Sequence, residues 1–310
     1  MKIVILTIGN KDAGSTLYRM RQYKELFKKN GASLIFIEKK NVTKKILSTI
    51  KEADLVINQK CLFPCSLAKK IIRSSKRIVF DFDDAIYTRP GKKYHLLVQR
   101  RINKRLHLWL KNAESVWAAN GVLADYAKLF SKNVYIIPMG LDLNVWKPLN
   151  KENEKVIIGW AGSPGNLRYL EKLGEILHRL QCKYSFVEVR VFSGEKPKLD
   201  CEFKYVPFKR GEEAGFTQKL DIGLLPLENN EYLRGKSPIK SLQYMACGVV
   251  PIGNINGATK EILNKKNSVE IINDWFLPLE KLILDTDLRK NLSENCLIDI
   301  NFFFIAGMLD

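Results

Sequence analysis

Histidine is nearly missing from this chain, with three in 310 residues, and acidic residues fall well short of basic ones, 33 Asp and Glu against 51 Lys and Arg. So few imidazoles, with six cysteines at 61, 65, 182, 201, 247 and 296 and no pair of Cys-x-x-Cys spacings, exclude the usual zinc-site patterns. The cysteines read as the reduced thiols of a cytosolic protein. No run approaches the roughly 18 consecutive apolar residues that a membrane-spanning helix needs. The amino end, Met1-Lys2-Ile3-Val4-Ile5-Leu6, has the charged start and apolar run of a signal peptide in miniature. Gly9, Asn10, Lys11 and Asp12 interrupt it too early for that, and it reads as a first strand.

What is present is enough apolar residue, 46% of the chain, for two packed cores. Strand-like runs alternate with helix-like runs almost throughout, which predicts an α/β protein with parallel sheets. In the first half the strand candidates are Ile3 to Ile8, Leu34 to Ile37, Leu55 to Ile57, Ile78 to Phe82, Val116 to Ala119 and Val134 to Ile137. In the second they are Val156 to Trp160, Phe186 to Phe192, Tyr205 to Phe208, Ile222 to Leu227, Val249 to Ile252 and Val269 to Ile272. The polar stretch Lys147 to Lys155, with Pro148, Asn150 and Asn153, separates the two series and predicts domains of residues 1–147 and 148–310. A ligand cleft is expected between the halves, at the carboxyl ends of the strands.

The formal charge of +18 is unevenly spread, since eight basic residues and no acidic one lie between Arg89 and Lys111. As a helix this stretch puts Val98, Ile102, Leu106 and Trp109 on one face and Arg100, Arg101, Lys104, Arg105 and Lys111 around the other. Such a basic outer face suits an anionic membrane surface, with ordinary solvated charge as the alternative. No module with aromatic stacking positions or a recognition helix points to nucleic acid.

Residues Asp221 to Leu263 carry the most chemistry. An apolar strand, Ile222 to Leu227, runs into a turn bearing Arg234, Lys236 and Lys240 and then into a helix with Leu242, Met245 and Ala246 three and four apart. Pro238 suits the first turn of that helix, where Ile239 and Lys240 also fall, and the free amides there favour an anion. A second small-residue loop, Gly162-Ser163-Pro164-Gly165, follows the strand Val156 to Trp160 and precedes a helix. Two anion-friendly loops from one domain suggest a diphosphate between them, although a plain strand-to-helix turn would look much the same.

The order strand, Pro-Leu, polar loop, Arg-Gly-Lys, Lys, Gln-Tyr-Met-Ala-x-Gly, apolar strand, Gly resembles the donor-binding half of retaining nucleotide-sugar glycosyltransferases of the family 4 type. Three further matches follow the family's order. Ser15 with Tyr18, Arg19 and Gln22 resembles the opening loop and helix of a bacterial surface-glycan branch, and Phe80-Asp81-Phe82-Asp83-Asp84-Ala85-Ile86-Tyr87 its acidic strand end. Ile137-Pro138-Met139-Gly140-Leu141-Asp142 and Gly159 to Gly165 resemble the interdomain linker and the loop after it.

The resemblance implies the GT-B fold: two Rossmann-like domains whose parallel sheets face an interdomain cleft, the first for the acceptor and the second for the nucleotide-sugar donor. It implies Gly162, Ser163, Lys236, Pro238, Ile239, Lys240 and Gln243 on the donor. Ser15, Tyr18, Arg19 and Asn120 fall on the acceptor side, with catalytic roles for Asp83, Asp84, Arg234 and Lys236. Asp83 or Asp84 would orient or deprotonate the acceptor hydroxyl or steady charge on the sugar; metal binding by Asp-x-Asp and plain structural capping are the other readings. The expectation is that no metal or other cofactor is needed and that the acceptor is a glycan or lipid-linked hydroxyl. The protein is expected in the cytoplasm, on the inner face of the cell membrane.

The chain also departs from the family. Aligned on Met245-Ala246-x-Gly248, the usual ribose glutamate is Gln243 and the sugar-facing one is Gly235. Only about twenty residues follow Arg289 where the family has a helix crossing back to the first domain, so a shortened carboxyl end is expected. These departures keep open a catalytically idle nucleotide-sugar binder, and the charge keeps open a basic nucleic-acid-binding protein.

Overall fold

The computed structural model describes residues 1–10, 13–43, 46–91, 94–150 and 154–306, with side chains to residue 303. It forms two compact units, Met1–Gly140 with Asn230–Ser237, and Leu141–Asn229 with the chain from Pro238 onward. Each unit is a six-stranded sheet in which every pairing is parallel.

The first sheet holds β1 (Lys2–Thr7), β2 (Ser33–Glu38), β3 (Leu55–Gln59), β4 (Ile78–Phe82), β5 (Ser115–Ala118) and β6 (Val134–Ile136) in the order β2-β1-β3-β4-β5-β6. Between them run α1 (Gly14–Arg19), α2 (Lys24–Lys29), α3 (Leu47–Glu52), α4 (Cys65–Ser74), α5 (Leu96–Asn112) and α6 (Gly121–Lys128). β4, apolar but for Asp81, is buried along its whole length, as a strand covered on both faces requires. Its Phe80 stacks on Trp109 of α5 with ring centroids 6.0 Å apart. Leu106, Trp109 and Leu110 anchor α5 to this core, while Arg100, Arg101, Lys104 and Lys111 are exposed and Arg105 is half-buried. Leu96 and Leu97 at the start of α5 are exposed as well, which the predicted basic face did not include. The strand order reverses between β1 and β3, and their carboxyl ends form the crevice where sheets of this kind bind ligands.

The second sheet holds β7 (Val156–Ala161), β8 (Val187–Ser193), β9 (Lys204–Pro207), β10 (Ile222–Leu225), β11 (Val250–Gly253) and β12 (Val269–Glu270) in the order β12-β11-β10-β7-β8-β9. Its helices are α7 (Leu167–Glu171), α8 (Gly174–Lys183), α9 (Glu213–Thr217), α11 (Ile239–Ala246), α12 (Phe276–Leu284) and α13 (Thr286–Ala306); α10 (Glu231–Arg234) packs with the first unit. Here the order reverses between β7 and β10. Every anticipated strand is present within a few residues of its expected bounds.

The second unit begins at Leu141 rather than at the expected residue 148. Gln218 holds this segment by donating to the carbonyls of Val145 (3.2 Å) and Lys147 (2.9 Å). The segment Asn230–Ser237, expected in the donor domain, belongs to the first unit. At the carboxyl end, α13 is tied into the second unit: Ser293 donates to the Gly248 carbonyl at 2.6 Å, and Asn267 donates to Asp299 at 2.7 Å. Among the described residues no helix is long and apolar enough to cross a membrane.

Candidate functional site

In the first unit the carboxyl ends of β3 and β4 and the start of α1 bring together a balanced cluster of charge. Lys60, the residue after β3, reaches Asp83 at 2.6 Å and Asp84 at 2.5 Å and donates to the Ser15 hydroxyl at 2.9 Å. The Asp83 contact is a close approach of charges without the alignment of a hydrogen bond. Lys60 has φ of +45°, a left-handed conformation rare for side chains with a Cβ. Its N–H donates to the Asp81 carbonyl at 2.7 Å, which ties this backbone to β4.

Burial opposes the charge on Lys60, but Asp83 and Asp84 outweigh it and hold the ammonium above its usual range. Burial would likewise raise Asp83, yet Lys60 pulls its carboxyl below the usual value. Asp84 goes the other way: burial and the charge of Asp83 lift it, with Lys60 and Lys236 opposing. Lys236 is held below the ordinary lysine range by burial, which Asp84 offsets only in part.

Lys236 is brought here by the segment Asn230–Ser237. Asn230 caps α10 by accepting from Leu233 N–H at 3.0 Å, and Tyr232 and Leu233 turn inward, Tyr232 against the first core. Asn120, which caps α6 by accepting from Leu123 N–H at 3.0 Å, donates its amide to the Gly235 carbonyl at 3.2 Å. Ser237 N–H donates to the Asp83 carbonyl at 3.2 Å. A Cβ on Gly235 would stand 2.9 Å from the Ala85 Cβ and 3.1 Å from Leu123, so this position has no room for the glutamate of the resembled family. Arg234 and Lys236, expected in a diphosphate seat of the second domain, therefore lie in the first unit, Lys236 beside Asp84 and Arg234 exposed at the end of α10.

Arg19 is not a surface group awaiting a ligand. Its side chain is 1% exposed and is consumed by two hydrogen bonds to Asp81, itself 0% exposed, and one to the Ile137 carbonyl. Tyr18 beside it is half-buried and its carbonyl accepts from Gln22. Ser15 joins the cluster through Lys60, and Gln59 donates to its carbonyl at 3.0 Å. Among the described residues no group of His, Cys, Asp and Glu is arranged to hold a metal ion. The ammonium of Lys60 stands where an Asp83–Asp84 pair would hold one.

In the second unit α11 begins at Pro238 with no side-chain cap, so its first-turn amides are free of that competition. Lys240 is half-buried and donates to the Gln243 side chain at 2.9 Å. Ser241 is 1% exposed and its hydroxyl has no hydrogen-bond partner among the described residues. Pro238 and Ile239 are half-buried beside them. The loop after β7 leaves Ser163, Pro164 and Gly165 exposed. Gly162 answers to packing, since a Cβ there would fall 2.3 Å from the Trp160 indole.

Sequence reasoning missed Lys60 and Tyr244. A lysine directly after a buried strand, ahead of Cys-Leu-Phe-Pro, was the available signal for Lys60. Tyr244 is fully buried on α11 with its hydroxyl 3.4 Å from both the Ala161 N–H and the Leu224 carbonyl, so it links the two strands at the point where the order reverses.

No protein-family model matches the sequence, and neither does any curated protein. Solved structures do match in three dimensions. A glycosyltransferase from Rickettsia africae is 13% identical, with a TM-score of 0.70 over 97% of this chain and 93% of the other. Anabaena HepE in complex with UDP-glucose is 14% identical, with 0.67 over 97% and 94%. An alpha-glucosyltransferase in complex with UDP and DNA is 13% identical, with 0.64 over 97% and 95%. Identity this low speaks for architecture, and on that ground the chain has the α/β fold of the GT-B glycosyltransferases, built from two Rossmann-like units.

Proposed function

We propose that the protein is a glycosyltransferase of the family 4 type that moves a sugar from a nucleotide diphosphate sugar to a hydroxyl acceptor, with retention of anomeric configuration. The observation that carries this reading is the start of α11, without a side-chain cap and after the switch-point strand β10, where Lys240 precedes Ser241, whose buried hydroxyl has no partner among the described residues. First-turn amides with no side-chain cap, a helix dipole and a cation form a seat for the donor diphosphate and stabilise its charge as it leaves. The UDP and UDP-glucose held by the fold's neighbours support a uridine nucleotide as the first donor to test. The Gly162–Gly165 loop and Gln243 complete the donor side of the reading. Asp83, Asp84, Ser15 and Asn120 serve the acceptor side, with Lys236 and Arg234 as the cations near the transfer. No metal has a role in this scheme.

The acceptor in this proposal is a glycan or lipid-linked hydroxyl of a cell-surface polysaccharide or glycolipid. The protein acts in the cytoplasm and attaches to the inner face of the membrane through α5. The exposed Arg100, Arg101, Lys104 and Lys111, with Leu96 and Leu97 exposed at the start of the same helix, support that attachment. A second reading, an idle nucleotide-sugar binder, is favoured by one observation: Gly235 is packed too tightly for a sugar-facing glutamate.

Thermal-shift measurements with UDP-, GDP-, ADP- and CMP-sugars test the donor, and a donor-turnover assay separates transferase from idle binder. Selective stabilisation by one nucleotide with turnover is the expected result. Silence toward every nucleotide, with salt-sensitive binding to DNA or RNA, overturns the reading.

A further inference from the structure

Two neighbouring helices of the first unit carry charge of one sign. α4 and α5 lie side by side, and the Phe63 ring just ahead of α4 meets Trp109 of α5 with centroids 6.2 Å apart. α4 buries Ala68 and Ile71 and exposes Lys69, Lys70 and Arg73, while α5 exposes Arg100, Arg101, Lys104 and Lys111. Neither helix contains an acidic residue. Among the described residues none of these exposed cations has a carboxylate partner, whereas Lys76 and Arg77, just past α4, are paired with Asp54 at 3.3 Å and Glu114 at 2.7 Å. Like charges crowded without counter-ions repel one another, and an anionic surface relieves them.

The apolar residues at the start of α5 distinguish which anionic surface that is. Leu96 and Leu97 are 72% and 67% exposed. Leu96, Arg100 and Lys104 follow one another four apart along one ridge of the helix, and Leu97 and Arg101 along the next. α5 is therefore amphipathic along its axis as well as across it, with an apolar tip and cations within about 12 Å of it. Gln99 fixes the tip by donating to the Tyr87 carbonyl and to the Asn103 side chain, both at 2.7 Å. Tyr94, half-buried just ahead of it, has the Arg89 guanidinium 4.9 Å from its ring centroid, a pairing suited to the level of lipid headgroups. The phosphates of a nucleic acid would meet the cations but leave both leucines in water. A bilayer accommodates both.

We propose that α4 and α5 form one platform for an anionic bilayer, with α4 supplying part of its charge and Leu96 and Leu97 inserted among the lipids. The inference rests on the membrane attachment proposed above for α5 and extends it to a second helix and to apolar insertion. Attraction between the cations and the headgroups is screened by salt, whereas burial of the leucines is not, so ionic strength separates the two contributions.

The test is cosedimentation with vesicles of equal parts phosphatidylglycerol and phosphatidylcholine, at low and high salt. Three proteins are compared: wild type, the triple variant Lys69→Gln, Lys70→Gln, Arg73→Gln, and the double variant Leu96→Asn, Leu97→Asn. Loss of the three α4 cations should weaken partitioning about a hundredfold at low salt. The leucine variant should bind about tenfold more weakly or worse and lose the salt-resistant part of wild-type binding. All these side chains are exposed, so both variants keep the wild-type melting temperature. In Leu97→Trp the added emission should be quenched by phosphatidylcholine brominated on its acyl chains. A triple variant that partitions like wild type, a leucine variant that keeps salt-resistant binding, or Leu97→Trp emission that brominated lipid leaves unquenched overturns the platform. Duplex DNA bound as tightly as the vesicles, with no loss in the leucine variant, assigns the face to nucleic acid and overturns it too. A wild type that sediments with no anionic vesicle overturns the attachment itself. Binding lost on reversing the α5 cations but kept by the triple and leucine variants leaves the attachment standing and removes only this inference.

Discussion

Replacing Arg19 by methionine should cost the protein more than any other single substitution around the first-unit cluster. The guanidinium and the Asp81 carboxylate are 1% and 0% exposed, so removing the cation leaves a buried carboxylate with no hydrogen-bonded counter-charge, only the electrostatic pull of Lys60, and strips the Ile137 carbonyl of its donor. Breaking one side of a buried pair costs about 3–5 kcal/mol. The double variant Arg19→Met, Asp81→Asn removes the stranded charge and leaves only neutral polar groups short of partners, a cost of about 1–3 kcal/mol. Adding the second substitution should therefore recover roughly 2 kcal/mol of what the first one loses. Urea unfolding followed by far-ultraviolet circular dichroism measures both. The pH dependence has a definite sign. Burial already lifts the Asp81 carboxyl against the pull of Arg19, and without Arg19 it rises further above its unfolded value. Stability linked to such a raised group is fully present below the unfolded pKa and lost as pH rises through the folded one, so the deficit of Arg19→Met should be largest near neutrality and ease toward acid. A single variant within about 1 kcal/mol of wild type, when surface pairs are worth that little, would refute the reasoning. So would a double variant no more stable than the single one.

Lys240→Ala should weaken nucleotide-sugar binding by about 1.5–3 kcal/mol, read by calorimetry, and an unchanged affinity would remove Lys240 from the donor seat. Gly235→Glu should destabilise the protein by about 1–3 kcal/mol and confer no gain in turnover, because its Cβ would press on Ala85 and Leu123; a stable and faster variant would contradict this. Reversing Arg100, Arg101, Lys104 and Arg105 to Glu should abolish cosedimentation with anionic vesicles, and wild-type binding should fade as salt is raised. Binding that ignores both returns α5 to ordinary solvated surface. Turnover should survive EDTA; complete loss restored by Mn²⁺ would make the acidic strand end a metal site.

The strands were legible because apolar, β-branched runs such as Ile3 to Leu6 leave a parallel sheet as the economical way to bury both faces. The α5 docking face was legible for the same kind of reason, since Leu106 and Trp109 recur at helical spacing. Contacts between distant residues were not. Arg19 and Asp81 stand 62 residues apart in sequence, and nothing local distinguishes an arginine that will be buried from one that will meet a ligand. Arg234, Gly235 and Lys236 read as one continuous basic turn with Lys240, because a one-dimensional pattern carries no sign that Tyr232 and Leu233 have a core of their own to join. Lys60 was silent for another reason: its value lies in a backbone conformation and in three side-chain partners, Ser15, Asp83 and Asp84, each more than twenty residues away.

The membership of Asn230–Ser237 in the first unit also sets an order of events during synthesis. The ribosome has released the whole of Met1–Gly140 before it reaches the segment that caps the acidic strand end. Until then the Gly235 carbonyl is not there for Asn120, the Ser237 amide is not there for the Asp83 carbonyl, and the core surface that Tyr232 covers stays open. The amino-terminal half thus waits, unfinished, for most of the second unit to be made. A nascent or truncated chain ending near residue 140 would present that bare surface to chaperones and proteases, and supplying residues 230–237 as a separate peptide is the direct way to close it.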